Sequence, residues 1–376
     1  MPTAGPVLLS PTNIAEDPRF LEEQLITYIG NKRALLPFLG EAITLVRKRL
    51  GERKLATLDL FSGSGVVARY LKQDSHTLIA NDLESYSRVV NECHLANSTE
   101  YDLAELARTL AALEKEIAKD SARGFITELY APKNERRITK RDRVFYTRRN
   151  ALYLDAARRA IGRLPAELQK FFLGPLLSEA SVHANTSGVF KGFYKNAAGV
   201  GQFGGDGKDA LIRILGGIRL ELPVFSRFDC EVRVHQRDAN ALLDELPEVD
   251  LAYIDPPYNQ HPYGSNYFML NLLVDYREPR EVSRVSGIPV DWNRSRYNKR
   301  PEAEAALFDT IGRCRAKYIL LSYNSEGFVP HGDLLAFLAK CGRHRVMSTP
   351  YNTFRGSRNL GGRARHVTEY LYLLEK

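Results

Sequence analysis

No uninterrupted apolar stretch approaches the ~18 residues needed to cross a bilayer, and the opening thirty residues lack the charged, apolar, small-residue order of a secretory signal. A cytoplasmic chain with no membrane partner is the expectation. Cysteine is scarce: Cys93, Cys230, Cys314 and Cys341 lie far apart and form no C-x-x-C pair. That spacing suggests neither a zinc site nor a disulfide scaffold, so no metal is expected. Two tripeptides, Asn97-Ser98-Thr99 and Asn185-Thr186-Ser187, match a glycosylation acceptor, but without a secretory signal they carry no such meaning. There is no internal repeat.

What is present is a chain of 376 residues, 44% hydrophobic and 26% charged, long enough for one large domain with an insertion or for two modest domains. A peptide-sized binding module is excluded. The 53 Lys and Arg exceed the 45 Asp and Glu by 8, which favours a polyanionic partner. The excess is concentrated. Residues 131–160 hold ten basic and three acidic residues, and Arg343 to Arg365 contains six arginines and no acid.

Residues 1–24, with Pro2, Pro6, Pro11 and Pro18, read as an irregular arm. From Leu25 a loop through Tyr28-Ile29-Gly30-Asn31-Lys32-Arg33 leads into apolar positions at helical spacing as far as Leu50. Leu55 to Phe61 is of strand length and runs into Ser62-Gly63-Ser64-Gly65, a helix-like stretch, and a second strand, Thr77 to Ala80, that ends in Asn81-Asp82. Strand, glycine turn, helix, strand and acid open a doubly wound nucleotide-binding sheet. The alternation breaks near residue 100 and resumes near 228. Strands are expected at Glu231–His235, Val249–Ile254, Tyr318–Ser322 and Val367–Leu374. Between the two halves lie an amphipathic helix, Leu103–Ile117, and the aromatic, glycine and lysine run from Asn185 to Lys195 and on to Gly207. The expected organisation is an α/β domain made of 25–100 and 228–376, with a mainly helical insertion at 101–227.

Gly63 and Gly65 allow a tight turn and the close approach of a ligand, while Asp82 is placed to accept hydrogen bonds from ribose hydroxyls. The glycine run also satisfies G-x-G-x-x-A through Ala68, so a dinucleotide dehydrogenase is one alternative. Asp255-Pro256-Pro257-Tyr258 decides more. It follows a strand, where doubly wound sheets place their ligands, and its prolines hold the Asp255 carboxylate and the Pro256 carbonyl as a rigid pair of acceptors. A planar amino group offers two donors to such a pair. Accepting both frees its lone pair to attack an electrophilic methyl, with Tyr258 as a stacking face for the base.

On these residues the chain resembles the alpha class of S-adenosylmethionine-dependent DNA adenine methyltransferases, across nearly its whole length from Leu25. The resemblance implies a Rossmann-like methyltransferase sheet with an inserted target-recognition region. Tyr28, Gly30, Asn31 and Lys32 match the family's first motif, Asp59, Phe61, Gly63 and Gly65 its glycine motif, Asp82 its ribose-binding acid and Asp238 its adenine-binding acid. Lys32 would then face the carboxylate of the cofactor. Asn259 to Tyr267, Asn185 to Lys195 and Tyr351 to Asn359 further resemble a subgroup from restriction-modification systems, with His261 where some relatives carry Arg.

The activity so implied is transfer of a methyl group to the exocyclic nitrogen of an adenine flipped out of double-stranded DNA. Asp255, Pro256, Pro257 and Tyr258 would carry it, in a monomer on DNA paired functionally with a restriction endonuclease. Lys191, Lys195, Lys208, Arg355 and Arg358 are candidate DNA contacts. Two other readings remain open: an amino methyltransferase of the same fold acting on cytosine N4, RNA or glutamine, and a catalytically silent DNA-binding regulator.

Overall fold

Strand β1 (Leu55–Asp59) and strand β4 (Val249–Ile254) are almost wholly buried, which is what near-continuous apolar runs in the middle of a parallel sheet require. In the computed structural model, which describes residues 15–23, 26–352 and 366–376, these two strands pair in parallel with Leu58 opposite Ala252. Strand β2 (Ser75–Asp82) lies on the other side of β1, and β3 (Glu231–Gln236) forms one edge. Beyond β4 come β5 (Ala316–Asn324), then β7 (His366–Glu375), antiparallel to β5, and β6 (Arg343–Asn352) at the far edge. The full order is β3-β2-β1-β4-β5-β7-β6, a mixed seven-stranded sheet with flanking helices, the α/β arrangement that the resemblance implies.

Side-chain alternation along the strands feeds two cores. On one face, Leu55, Leu78, Leu251, Tyr253 and Leu320 pack against helices α2 (Leu36–Arg49) and α3 (Val66–Lys72). On the other, Leu58, Ala252, Ile254 and Ile319 meet α10 (Ala239–Leu242), α13 (Arg300–Arg313) and α14 (His331–Cys341). A leucine buried fully in either layer contributes on the order of 2 kcal/mol.

A third core fuses the helical stretch to the sheet domain. Helices α5 (Leu103–Ile117), α6 (Phe125–Tyr130), α7 (Arg148–Ile161) and α8 (Ala166–Val182) pack with α4 (Ser85–His94) and α12 (Phe268–Asp275). Helix α8 is buried from Phe171 through Ser178, as expected of a helix with little polar character on any face. Gly174 allows its close approach to α4, since a Cβ there would stand 2.7 Å from the Cys93 sulfur. A short α9 (Leu211–Leu215) follows, so the described residues of 101–227 are mainly helical, but their hydrophobic face is shared with α4 and α12. Segment 101–227 thus shares its hydrophobic core with α4 and α12.

Two elements differ from the sequence expectation. Within the arm expected to be irregular, Pro18–Glu22 forms a short helix, α1, capped by the Asp17 carboxylate, which accepts the Arg19 N–H at 2.9 Å. Arg343 to Asn352, part of the arginine-rich stretch for which no strand is expected, is strand β6. Its register with β7 is set by antiparallel pairing from Arg343 opposite Glu375 to Asn352 opposite His366. As an edge strand it tolerates Pro350 and exposed arginines, features that mask a strand when read from sequence.

Candidate active site

The parallel strands bring their carboxyl ends to the same edge of the sheet, and four chain segments converge there. After β1 the chain turns through Ser62 to Gly65, where Gly63 and Gly65 take φ of +51° and +79°. The space above Gly63 belongs to the protein itself: a Cβ would stand 2.9 Å from the ring of Tyr28. After β2, one Asp82 oxygen accepts the Gly63 N–H at 2.9 Å and the other accepts the Glu84 N–H at 3.0 Å. Glycine turn and acid are thus one hydrogen-bonded unit.

The loop before α2 supplies the third segment. Tyr28, Tyr263 and Tyr267 form a cluster of near-parallel rings, with Tyr28 5.0 Å from Tyr263 and 4.8 Å from Tyr267, and those two 6.0 Å apart. The Tyr267 hydroxyl accepts the Ile29 N–H at 2.6 Å, and the Tyr263 hydroxyl donates to the Ile29 carbonyl at 3.2 Å. Tyr263 belongs to α11 (Tyr263–Asn266), immediately after the Asp255 to Tyr258 motif. Asn31 caps the next turn, its side chain accepting the Arg33 N–H at 2.8 Å.

The fourth segment is Asp255-Pro256-Pro257-Tyr258 itself, at the end of β4. Lys32, expected to face a carboxylate of the cofactor, directs its ammonium at two carboxylates of the protein. Its Nζ lies 3.2 Å from Asp255 Oδ1 and 2.6 Å from Glu369 Oε1. Burial disfavours charge on Lys32, but Asp255 and Glu369 outweigh it and hold the ammonium well above its ordinary range. Burial pushes the Asp255 carboxyl up to about 6, Lys32 opposing and Glu369 adding to the rise.

A cleft of about 690 Å³ is lined by Phe61, Asp82, Asp238, Asp255, Pro257 and Tyr263, among others. A smaller recess of about 290 Å³ adjoins it, with Gly30, Lys32, Asp59 and Gly63 on its walls. Asp59 is buried, and neither of its oxygens has a partner at full hydrogen-bond geometry, the Phe61 and Ala68 N–H groups acting on it only weakly. Burial raises its pKa well above the usual carboxylate range, and Asp255 and Asp82 add to the effect. A buried carboxylate so weakly paired, beside a recess, suits a cationic ligand group. Gly65 lines neither space; it starts α3. Asp238 caps α10, accepting the Ala241 N–H at 3.1 Å, and lies 3.6 Å from Arg296.

Several site residues escaped the sequence reading. Glu369 and Ser322 come from the two antiparallel-paired strands β7 and β5. Asn293, Ser295, Tyr297 and Asn298 line the cleft from a segment without any motif. Asn293 donates to Glu84 at 3.1 Å, and Asn298 donates to the Asn259 carbonyl at 2.7 Å, so this segment is tied to both β2 and the proline motif. Glu369 did leave a signal: in Val367-Thr368-Glu369-Tyr370-Leu371 it occupies the parity of the buried apolar positions.

The proposed DNA contacts are dispersed. Phe190 N–H donates to the Asn266 carbonyl at 2.7 Å, which docks the 185–195 loop on α11 and leaves Lys191 exposed, its charge felt at His261. Lys195 places its ammonium 5.0 Å from the centre of the Phe193 ring. Lys208 is exposed on a residue with φ of +52°. Arg355 and Arg358 lie outside the described residues.

Sequence comparison agrees with this geometry. The family described as D12 class N6 adenine-specific DNA methyltransferase matches residues 28–199 and 218–287. The chain is 28% identical over 366 residues to the type II methyltransferase M.CviAII of Paramecium bursaria Chlorella virus 1, covering 93% of this chain and 98% of that one. It is 28% identical over 359 residues to M.NlaIII of Neisseria lactamica, covering 93% and 99%. With M.FokI of Planomicrobium okeanokoites it shares 26% over 363 residues, covering 93% of this chain and 52% of the other.

Proposed function

The chain belongs to the D12 class of N6 adenine-specific DNA methyltransferases, and from that premise we propose which residues perform the transfer, with which donor and in what setting. The observation that carries the reading is the placement of Asp255 and Pro257, just after the end of β4, on the wall of a cleft shared with Asp82, Asp238 and Phe61.

S-adenosylmethionine, when bound, supplies a methyl group made electrophilic by a positively charged sulfur. Asp59, whose oxygens lack partners at full hydrogen-bond geometry, would take the ammonium end. Asp82 would bind the ribose and Asp238 the adenine amino group, with Phe61 forming the apolar wall between them. Tyr28, Gly30, Asn31 and Gly63 line the recess, and Gly65 starts the helix behind it. Lys32 is assigned a different part from the one expected: it orients Asp255.

The substrate adenine is extruded from the duplex, at a cost of a few kcal/mol. Asp255 and the Pro256 carbonyl accept the two amino hydrogens, Pro257 keeps the loop rigid, and Tyr258 stacks on the base. The acceptor pair localises the nitrogen lone pair for direct displacement. No strong base is needed, because the proton leaves only after the nitrogen has become cationic. Positioning of this kind supplies up to ~7–11 kcal/mol of the catalysis.

Lys191, Lys195 and Lys208 would contact DNA phosphates, and the enzyme would act as a monomer. The names of M.CviAII, M.NlaIII and M.FokI, all type II methyltransferases, support a role as the modification partner of a restriction endonuclease. Methylation of purified DNA by wild-type and Asp255→Ala protein, followed by nucleoside analysis, tests the assignment. The variant should bind DNA and transfer no methyl group.

A further inference from the structure

Glu369 is 2% exposed on a strand whose neighbouring inward positions, Val367 and Leu371, are apolar. A carboxylate in such a place costs several kcal/mol unless it is paired. Its pairing is specific. Oε1 lies 2.6 Å from the Lys32 ammonium and accepts the Ser322 hydroxyl at 2.7 Å. Lys32, itself 4% exposed, reaches from there to Asp255 Oδ1 at 3.2 Å. One buried ammonium is therefore divided between two carboxylates, and the shorter contact goes to the one outside the proline motif.

That division has a chemical consequence. Paired with Asp255 alone, Lys32 would be free to swing fully onto that carboxylate and weaken it as a hydrogen-bond acceptor. Held by Glu369, which the Ser322 hydroxyl anchors in turn, the ammonium is fixed in place and its charge is shared. The other titratable groups around Asp255 are Tyr253 on β4, Asp59 at the end of β1, Tyr258 at the end of the proline motif and Tyr263 after it. Among these described neighbours Lys32 is the one cation, so its placement governs the electrostatic balance at Asp255.

We propose that Glu369 is a positioning residue of the methyl transfer: it holds Lys32 beside Asp255 while preventing Lys32 from neutralising the acceptor carboxylate. This rests on the assignment of Asp255 as the acceptor of the amino hydrogens. Glu369 touches neither base nor donor and acts through Lys32.

The test is the pH dependence of single-turnover methyl transfer to DNA by wild type, Glu369→Gln, Glu369→Asp and Asp255→Ala. Removing the Glu369 charge leaves all of the ammonium to Asp255 and stabilises its carboxylate form, so the acid limb should move to lower pH by roughly one unit in Glu369→Gln. The plateau rate should fall about tenfold or more as the acceptor weakens and shifts. Glu369→Asp keeps the charge with a shorter reach, and should lower the rate with a smaller displacement of the limb. It carries the test should Gln at this position prevent folding. A wild-type rate and limb in the variants would overturn the proposal, as would a lower rate with an unmoved limb, which makes Glu369 structural only. Activity in Asp255→Ala would instead overturn the assignment of the acceptor.

Discussion

The ring of Tyr263 lies parallel to that of Tyr28, 5.0 Å away at 17°, while its hydroxyl donates to the Ile29 carbonyl. One residue from the segment after the proline motif thus supports both the side chain and the backbone of the loop that carries Gly30 and Lys32. The loop assigned to the methyl donor and the motif assigned to the base are mechanically joined. Tyr263→Phe removes only the hydroxyl contact and should weaken donor binding severalfold. Tyr263→Ala also removes the stacking, worth ~0.5–1.5 kcal/mol beyond burial, and should weaken it further. Calorimetric titration with S-adenosylmethionine checks both, and equal affinities in the two variants would dissociate Tyr263 from the loop.

The Asp255 carboxyl, raised by burial to about 6, sets a direction for pH dependence. Below that pH the group is protonated and loses acceptor strength, so the rate of methyl transfer should fall on the acid side, approaching about tenfold per unit well below the limb. Above it the carboxylate form is complete and the rate should level off. Single-turnover rates across pH 5 to 8 measure this.

Gly63 has φ of +51° and faces the Tyr28 ring at a distance that leaves no room for a Cβ. Gly63→Ala should destabilise the protein by ~1–2 kcal/mol through the left-handed backbone alone, and should displace Tyr28 as well. The expected outcome is a lower melting temperature together with at least tenfold weaker donor binding. Unchanged binding in a destabilised variant would separate the turn from the site.

Lys191 projects from a loop pinned to α11 by the Phe190 N–H. If it contacts a phosphate, Lys191→Ala should weaken binding to every DNA sequence alike and reduce the slope of log affinity against log salt by about one. Fluorescence anisotropy at several salt concentrations reads that slope.

The parts of this site legible in the sequence were those where backbone geometry restricts residue type. Gly63 and Gly65 mark a turn of positive φ, Pro256 and Pro257 a rigid loop, and the apolar runs of β1 and β4 a buried parallel pair. Strand β6 was not legible, because an edge strand carries Arg343, Arg345 and Pro350 without penalty and so lacks an apolar signature. The assignment of Lys32 could not be read either. An ammonium's partner depends on what the fold brings to it, and Glu369 arrives from the last strand. The shared core of α4, α8 and α12 was hidden for the same reason, since burial of one amphipathic face does not say which other face covers it. Asn293 and Asn298 belong to no motif and reach the cleft only through tertiary hydrogen bonds to Glu84 and Asn259.

The central claim is that Asp255 presents an adenine amino group for methylation. Its most direct test is modification mapping of DNA from cells expressing the wild-type chain or Asp255→Ala. The predicted result is N6-methyladenine at one recurrent sequence with the wild type and at none with the variant. Methylated adenine persisting in the variant, or 4-methylcytosine in its place with the wild type, would contradict the account.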